Sequence, residues 1–447
     1  MLSQEIHQKI YFWSLAYLCF SVPFMSKFLP FTIGVVILIL NFLFEGNLFL
    51  RLKKIVRTPW ILLFVIFYVL HLISAFYSTN FSEANRDLFL KLPLLIVSVT
   101  FSSISLSKSQ KQRLYSIWII AVVLVACILI GRAYVNYFDT GYVRFLFYSA
   151  LAEGKHPAYF SLYCLTAIIL LFRDKFEKWK VIPLMLLVLM VFLLSSRMQI
   201  LVLLVLAFVK VCHEFAQSKK VSSVVILAII GIISLFLSEN LRNKTRLNNA
   251  QKEIRQLFSQ NYKNSTRGAI WGLGLQTILD SPWIGHGNGD EFEKLNQAIQ
   301  SKVQLKESEV TALANEIFQD TTIMRNLYST AERRGWDKSD LHFRYARWKL
   351  IKELSSPYNK FYKNFYNYHN QFLQSWATSG ILCLLLLLAI FFISIKTGVQ
   401  QKDFALLAIV FLIAMSFMSE SMLERQYGVI YFALILPIMM LESRKSV

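Results

Sequence analysis

Residues 181–212 limit the possible folds of this chain most sharply, because they form a nearly unbroken apolar run interrupted once, at Ser195-Ser196-Arg197. As one helix rising about 1.5 Å per residue the run would reach roughly 48 Å, well beyond a hydrocarbon core of about 30 Å. Both flanks, residues 173–180 and 210–220, are rich in Lys and Arg. Lys and Arg collect on the cytoplasmic side, so the run crosses the membrane twice and Arg197 turns the corner on the outer side. A long cation beside a span often only snorkels. The functional reading is taken here because an arginine between two apolar helices is costly to keep.

The rest of the chain agrees. Fifty-five percent hydrophobic residues over 447 positions describe a polytopic membrane protein and leave no room for a large soluble domain. A formal charge of +20 suggests nucleic acid in a soluble protein. Here basic cytoplasmic loops account for it, and no nucleic-acid partner is expected. The cysteines, Cys19, Cys127, Cys164, Cys212 and Cys383, fall in or beside apolar runs without metal-ligand spacing and are read as packing residues.

Spans are expected at 11–25, 29–44, 60–77, 88–106, 114–131 and 157–172, then two within 181–212, then 221–238, 372–395, 404–418 and 427–441. The first apolar run lacks a small-residue cleavage site and is read as an anchor, not a removed signal. This gives an all-α membrane protein of about 12 transmembrane helices, with both termini cytoplasmic. Residues 1–238 form the N-terminal helices, 239–371 one large external loop, and 372–447 the C-terminal helices. Between residues 239 and 370 stand 20 Lys and Arg. Long loops translocate regardless of charge, so so basic an outer loop points to an anionic ligand.

Chemistry-bearing residues gather at the edges of that loop. Phe365, His369, Leu373 and Trp376 recur at helical spacing where the loop re-enters the membrane, which puts the His369 imidazole near the bilayer surface as a candidate base. An interfacial histidine among tyrosines is as often a plain hydrogen-bonder. Glu420, in the outer turn before the last span, is a candidate to accept the second ring proton of His369. Glu424 and Arg425 beside it read as mutual partners. Thr266-Arg267 opens a helix, and unpaired N–H groups with an adjacent guanidinium favour phosphate oxygens. Gly285, Gly287 and Gly289 read as a turn. Asp290, Glu291 and Glu293 read as acids of a helix start, so no metal is expected. His156, before Pro157, reads first as a helix cap and second as a sugar or diphosphate contact.

Three of these places carry a resemblance. Ser196-Arg197 in a hairpin, Arg267 with Trp271, Pro282, Gly285 and Gly287, and His369-Asn370 followed by Gly380 together resemble the O-antigen ligase and O-antigen polymerase family of membrane glycosyltransferases. The resemblance implies a GT-C-like fold in the bacterial inner membrane with a periplasmic loop. It implies transfer of a glycan from undecaprenyl diphosphate to an acceptor hydroxyl, with inversion and with no metal or other cofactor. By it His369 would be catalytic and Arg197 and Arg267 would clamp the diphosphate, with Asn370 beside them, and Glu420 and His156 are counted with the substrate-binding residues on their own positions. The acceptor would be lipid A-core in a ligase, a growing polysaccharide in a polymerase, or a protein in an oligosaccharyltransferase. The single long loop favours the ligase. A lipid-linked oligosaccharide transporter is the rival from another class, but internal repeats are not found.

Overall fold

A computed structural model of the chain describes residues 3–24, 29–153, 155–173, 177–218, 266–334, 337–353, 358, 361 and 365–442. Among the described residues the regular structure is entirely helical. The expected span at 221–238 lies outside them.

The N-terminal part runs α1 (Gln4–Phe24), α2 (Leu29–Phe44), α3 (Leu48–Arg57), α4 (Pro59–Phe76), α5 (Phe81–Thr100) and α6 (Lys108–Thr140), then the single turn α7 (Tyr148–Leu151) and α8 (Pro157–Leu171), α9 (Val181–Leu194) and α10 (Arg197–Ser218). The loop contributes α11 (Thr266–Asp280), α12 (Asp290–Gln300), α13 (Glu307–Gln319), α14 (Thr321–Arg334) and α15 (Leu341–Glu353). The chain closes with α16 (Gln371–Gln400), α17 (Phe404–Ser419) and α18 (Gln426–Met440).

Sequence places the helices of the bundle in layers. In α8 all of Pro157–Leu171 is buried, and α18 is buried from Gly428 to Met440. Helices apolar on every side belong at the centre. Around them, α2, α6, α10 and α16 leave large apolar side chains uncovered, among them Ile37, Leu124, Leu204, Leu385 and Phe392. Such outward stripes are a surface for lipid. With α4, α6 and α16 long and apolar enough to cross a membrane, the chain is a multi-pass membrane protein. The pair α2 and α3 is long and apolar enough for a fourth crossing only if counted as one span, and it bends by 114° at the junction. The helices α8, α17 and α18 have 15 or 16 residues, roughly 22–24 Å, and fall short of that length. Sheathed by protein, α8 and α18 need not match the hydrocarbon thickness.

Several boundaries differ from the hydropathy reading. The corner at 195–197 is a break in the helix, with Ser195 in the left-handed region at φ 51 and its hydroxyl donating to the Phe192 carbonyl at 2.9 Å. Instead of 88–106, α5 begins at Phe81, because Asn80 caps it by accepting from the Glu83 N–H. The loop expected after residue 131 is helical up to Thr140, where Gly141 stops α6 at φ 70. The basic stretch after residue 50 is the amphipathic α3, exposing Phe49, Leu50 and Val56 beside Lys53, Lys54 and Arg57, the composition of a helix lying in the interface.

The most consequential feature is hidden inside α16, which breaks at Ser379 and Gly380, the latter at φ 77. The glycine turn of the loop fills the break. His286 N–H donates to the Ala377 carbonyl at 2.8 Å and Gly287 N–H to that of Thr378 at 3.1 Å, while Ile381 N–H donates to the Pro282 carbonyl at 2.9 Å. Backbone groups freed by a break inside a membrane helix must find such partners. A Cβ on Gly380 would lie 2.0 Å from the Trp283 carbonyl oxygen, and one on Gly285 2.6 Å from Gly380 N. Only hydrogen fits at either position. The loop is thereby pinned onto the C-terminal helices.

Candidate active site

That pinning fixes the two sides of the site. Tyr368 is fully buried under α11, its carbonyl accepting from Trp271 Nε1 at 3.0 Å and its hydroxyl 3.1 Å from Thr277 Oγ1. Gly274 leaves room for its ring, since a Cβ there would come within 2.8 Å of it. The next residue, His369, takes a left-handed φ of 46, and Asn370 caps α16 by accepting from the N–H groups of Phe372 and Leu373 at 2.9 and 3.1 Å. Helical spacing from Phe365 through Trp376 therefore overstates the helix. It starts after His369, which projects from the bend and is about a third exposed.

Opposite stands Glu420, directly after α17. One oxygen, Oε2, lies 3.1 Å from His369 Nδ1, and the other, Oε1, accepts from Arg267 Nη2 at 3.0 Å. Burial alone would raise the Glu420 carboxyl. The hydrogen bond from His369, then the charges of His369, Arg267 and His156, outweigh burial and hold it below its ordinary value. His156 caps α8 through Nδ1, which accepts from Ala158 N–H at 3.4 Å. Burial lowers the His156 imidazole, opposed by the Glu420 charge and aided by Arg425, His369 and Arg267, so all four of these groups lie within electrostatic reach of His156.

The structure thus brings His369, Glu420, Arg267 and His156 together at one end of the bundle, with Asn370 supporting the bend. Arg197 opens α10 at this same end. Two residues on, Gln199 Nε2 donates to Ser416 Oγ at 3.2 Å, one turn before Glu420. Arg425 is exposed, and it belongs to this group instead of to its neighbour Glu424. Glu424 turns inward to Lys91, at 3.0 Å, which also pairs with Asp87. The expected Glu424–Arg425 pair is therefore replaced. The sequence signal for the true one was Asp87 and Lys91, spaced i, i+4 at the mouth of an apolar helix, a costly position for unpaired charges.

The acids after the glycine turn also have structural work. Asp290 accepts from the N–H groups of Thr79 and Asn80 at 2.7 and 2.8 Å and from the hydroxyls of Ser78 and Thr79 at 2.9 Å each. Glu291 accepts from Gly289 N–H at 2.8 Å and from Gln374 Nε2 at 2.9 Å. They tie the loop to α5 and α16.

Chemically, a carboxylate on Nδ1 selects the tautomer that leaves Nε2 open to accept a proton. Arg267 donates to Glu420 through Nη2, and a guanidinium has five donors. Such an arrangement can supply a base beside an anion-binding edge.

Residues 182–320 match the family model described as O-antigen ligase. The match includes Arg197 and Arg267 and ends before His369 and Glu420. An uncharacterized protein of Haemophilus influenzae is 22% identical over 232 residues, covering 49% of this chain and 45% of that protein, so the chain spans about half the length of the curated relative it matches. The resemblance to the O-antigen ligase family stands on this segment, and it supports a ligase- or polymerase-type activity in general terms.

Proposed function

We propose that the protein is an O-antigen ligase-type glycosyltransferase, which moves a glycan from undecaprenyl diphosphate to a hydroxyl of lipid A-core on the outer face of the bacterial inner membrane. The observation that carries this reading is the single carboxylate of Glu420 joining His369 and Arg267 across the two sides of the site. His369 takes the proton of the acceptor hydroxyl through Nε2, and the oxygen attacks the anomeric carbon as the bond to the diphosphate breaks. A single displacement of this kind inverts the anomeric centre. Arg267, Arg197 and Arg425 neutralise the departing diphosphate in the role a divalent ion takes elsewhere. His156 and Asn370 border the sugar, and the bilayer holds the prenyl chain so that binding costs little orientation entropy. The fold that suits this reading is GT-C-like, with about twelve spans, cytoplasmic termini and a periplasmic loop.

The test is the surface-glycan profile of a strain lacking the protein. Undecorated lipid A-core with polymer accumulating on the carrier lipid is expected. Single repeat units on the core would identify a polymerase instead, and an unchanged profile would contradict both.

A further inference from the structure

At the end of the bundle away from His369, α6, α8, α10 and α17 surround a cavity of about 700 Å³. The path of α17 fixes its distance from the site. Phe404 lines the cavity, and Ser419, beside Glu420, comes 15 residues later, or roughly 22 Å along the helix. The inner wall is apolar, formed by Leu165 and Ile168 of α8 with Phe172 just after it, Leu203 and Leu206 of α10, and Ala408 of α17. The rim is cationic, with Lys108, Lys111, Arg173, Lys210 and Lys402 set against Asp403 and Glu442.

Two of these cations serve the protein. Arg173 is 2.7 Å from Asp403, and Lys111 donates to the Leu441 carbonyl at 2.7 Å, closing the end of α18. Lys210 lies over the Phe172 ring at 5.9 Å. Lys108 and Lys402 are exposed and form no ion pair among the described residues. A free phosphate would use the rim and leave the apolar wall wet. An apolar molecule would leave Lys108 and Lys402 without an anion. An amphiphile with a phosphate head satisfies both, and basic pockets between membrane helices bind anionic headgroups on these grounds.

We propose that this cavity is a binding site for an anionic phospholipid, with Lys108, Lys210 and Lys402 on the phosphate and the acyl chains against α8 and α10. The site is independent of the transfer reaction and rests only on the chain being embedded in a membrane.

The test is native mass spectrometry of the full-length protein in mild detergent, offered equal amounts of dioleoylphosphatidylglycerol and dioleoylphosphatidylethanolamine. The wild type is expected to retain the glycerol lipid at least about tenfold better, the equivalent of about 1.4 kcal/mol. The triple variant Lys108→Gln, Lys210→Gln, Lys402→Gln should lose that preference. Ala408→Phe, which fills the wall and keeps the charges, should lose the lipid without a change of melting temperature in lipid-free detergent. Equal retention of the two lipids, an unchanged preference in the triple variant, or inorganic phosphate raising the melting temperature as far as the lipid does would each overturn the proposal.

Discussion

A carboxylate at the C-terminal end of a helix faces the negative end of the macrodipole, and burial makes its charge costlier still. Glu420 stands there after α17 and is nonetheless held ionised by His369, Arg267 and His156. This has a consequence for acid stability. The unfolded carboxyl titrates at its ordinary value of 4.5 and the folded one lower, so its contribution is complete above 4.5 and is lost as pH falls through the folded value. Melting temperatures measured from neutral to acid pH should therefore fall less steeply in Glu420→Gln than in the wild type below 4.5, and parallel curves would show that the carboxyl contributes nothing there. Arg267→Lys keeps a cation for Glu420 but loses the flat, two-pronged phosphate contact. An increase of about tenfold in KM for the donor is expected, roughly 1.4 kcal/mol of binding, with the fold intact. An unchanged KM would remove Arg267 from the diphosphate. His369 and Glu420 stood out in the sequence because ionisable groups beside apolar runs are expensive and few, and Arg267 because it opens a helix in the basic loop. Arg425's place was not, since its neighbour Glu424 offered an obvious local partner and only the packing of α5 against the last turn shows that Lys91 takes it.

At the scale of elements, the splice between the glycine turn and α16 governs where the loop sits over the membrane helices. Hydropathy could not reveal it, because residues 381–395 continue apolar straight through from the break and a helix and a broken helix bury the same side chains. Gly380 and Gly285 were visible as letters; their task depends on backbone meeting backbone at 2.0 to 2.6 Å. Gly380→Ala and Gly285→Ala should each lower the melting temperature and the yield of folded protein, since a Cβ there adds a positive-φ strain to a clash with main chain. Gly272, within α11, has no atom within 4 Å of a built Cβ. There alanine should be neutral or stabilising by about 0.5–1 kcal/mol. Equal melting temperatures for the three variants would mean that the splice does not hold the loop.

For the whole molecule, the apolar runs of the described residues fall on helices whose ends hydropathy misplaces. The helix α6 continues past the expected end at residue 131 to Thr140, and the central α8 has only 15 residues. Orientation rests on the Lys and Arg of the short loops. In a cysteine-free background, Asp139→Cys should react with an impermeant maleimide in spheroplasts, and Lys402→Cys only after lysis; the reverse pattern would turn the proposed topology over. The activity itself is decided by one measurement. The purified protein in proteoliposomes is given a polyprenyl-diphosphate glycan and lipid A-core, and release of free polyprenyl diphosphate is followed for the wild type and for His369→Ala. A positioned base contributes about 10²- to 10⁴-fold, so release should occur with the wild type and fall by at least about 10²-fold in the variant. Equal release by the two proteins, or passage of the glycan lipid across the membrane with no release at all, would contradict the account.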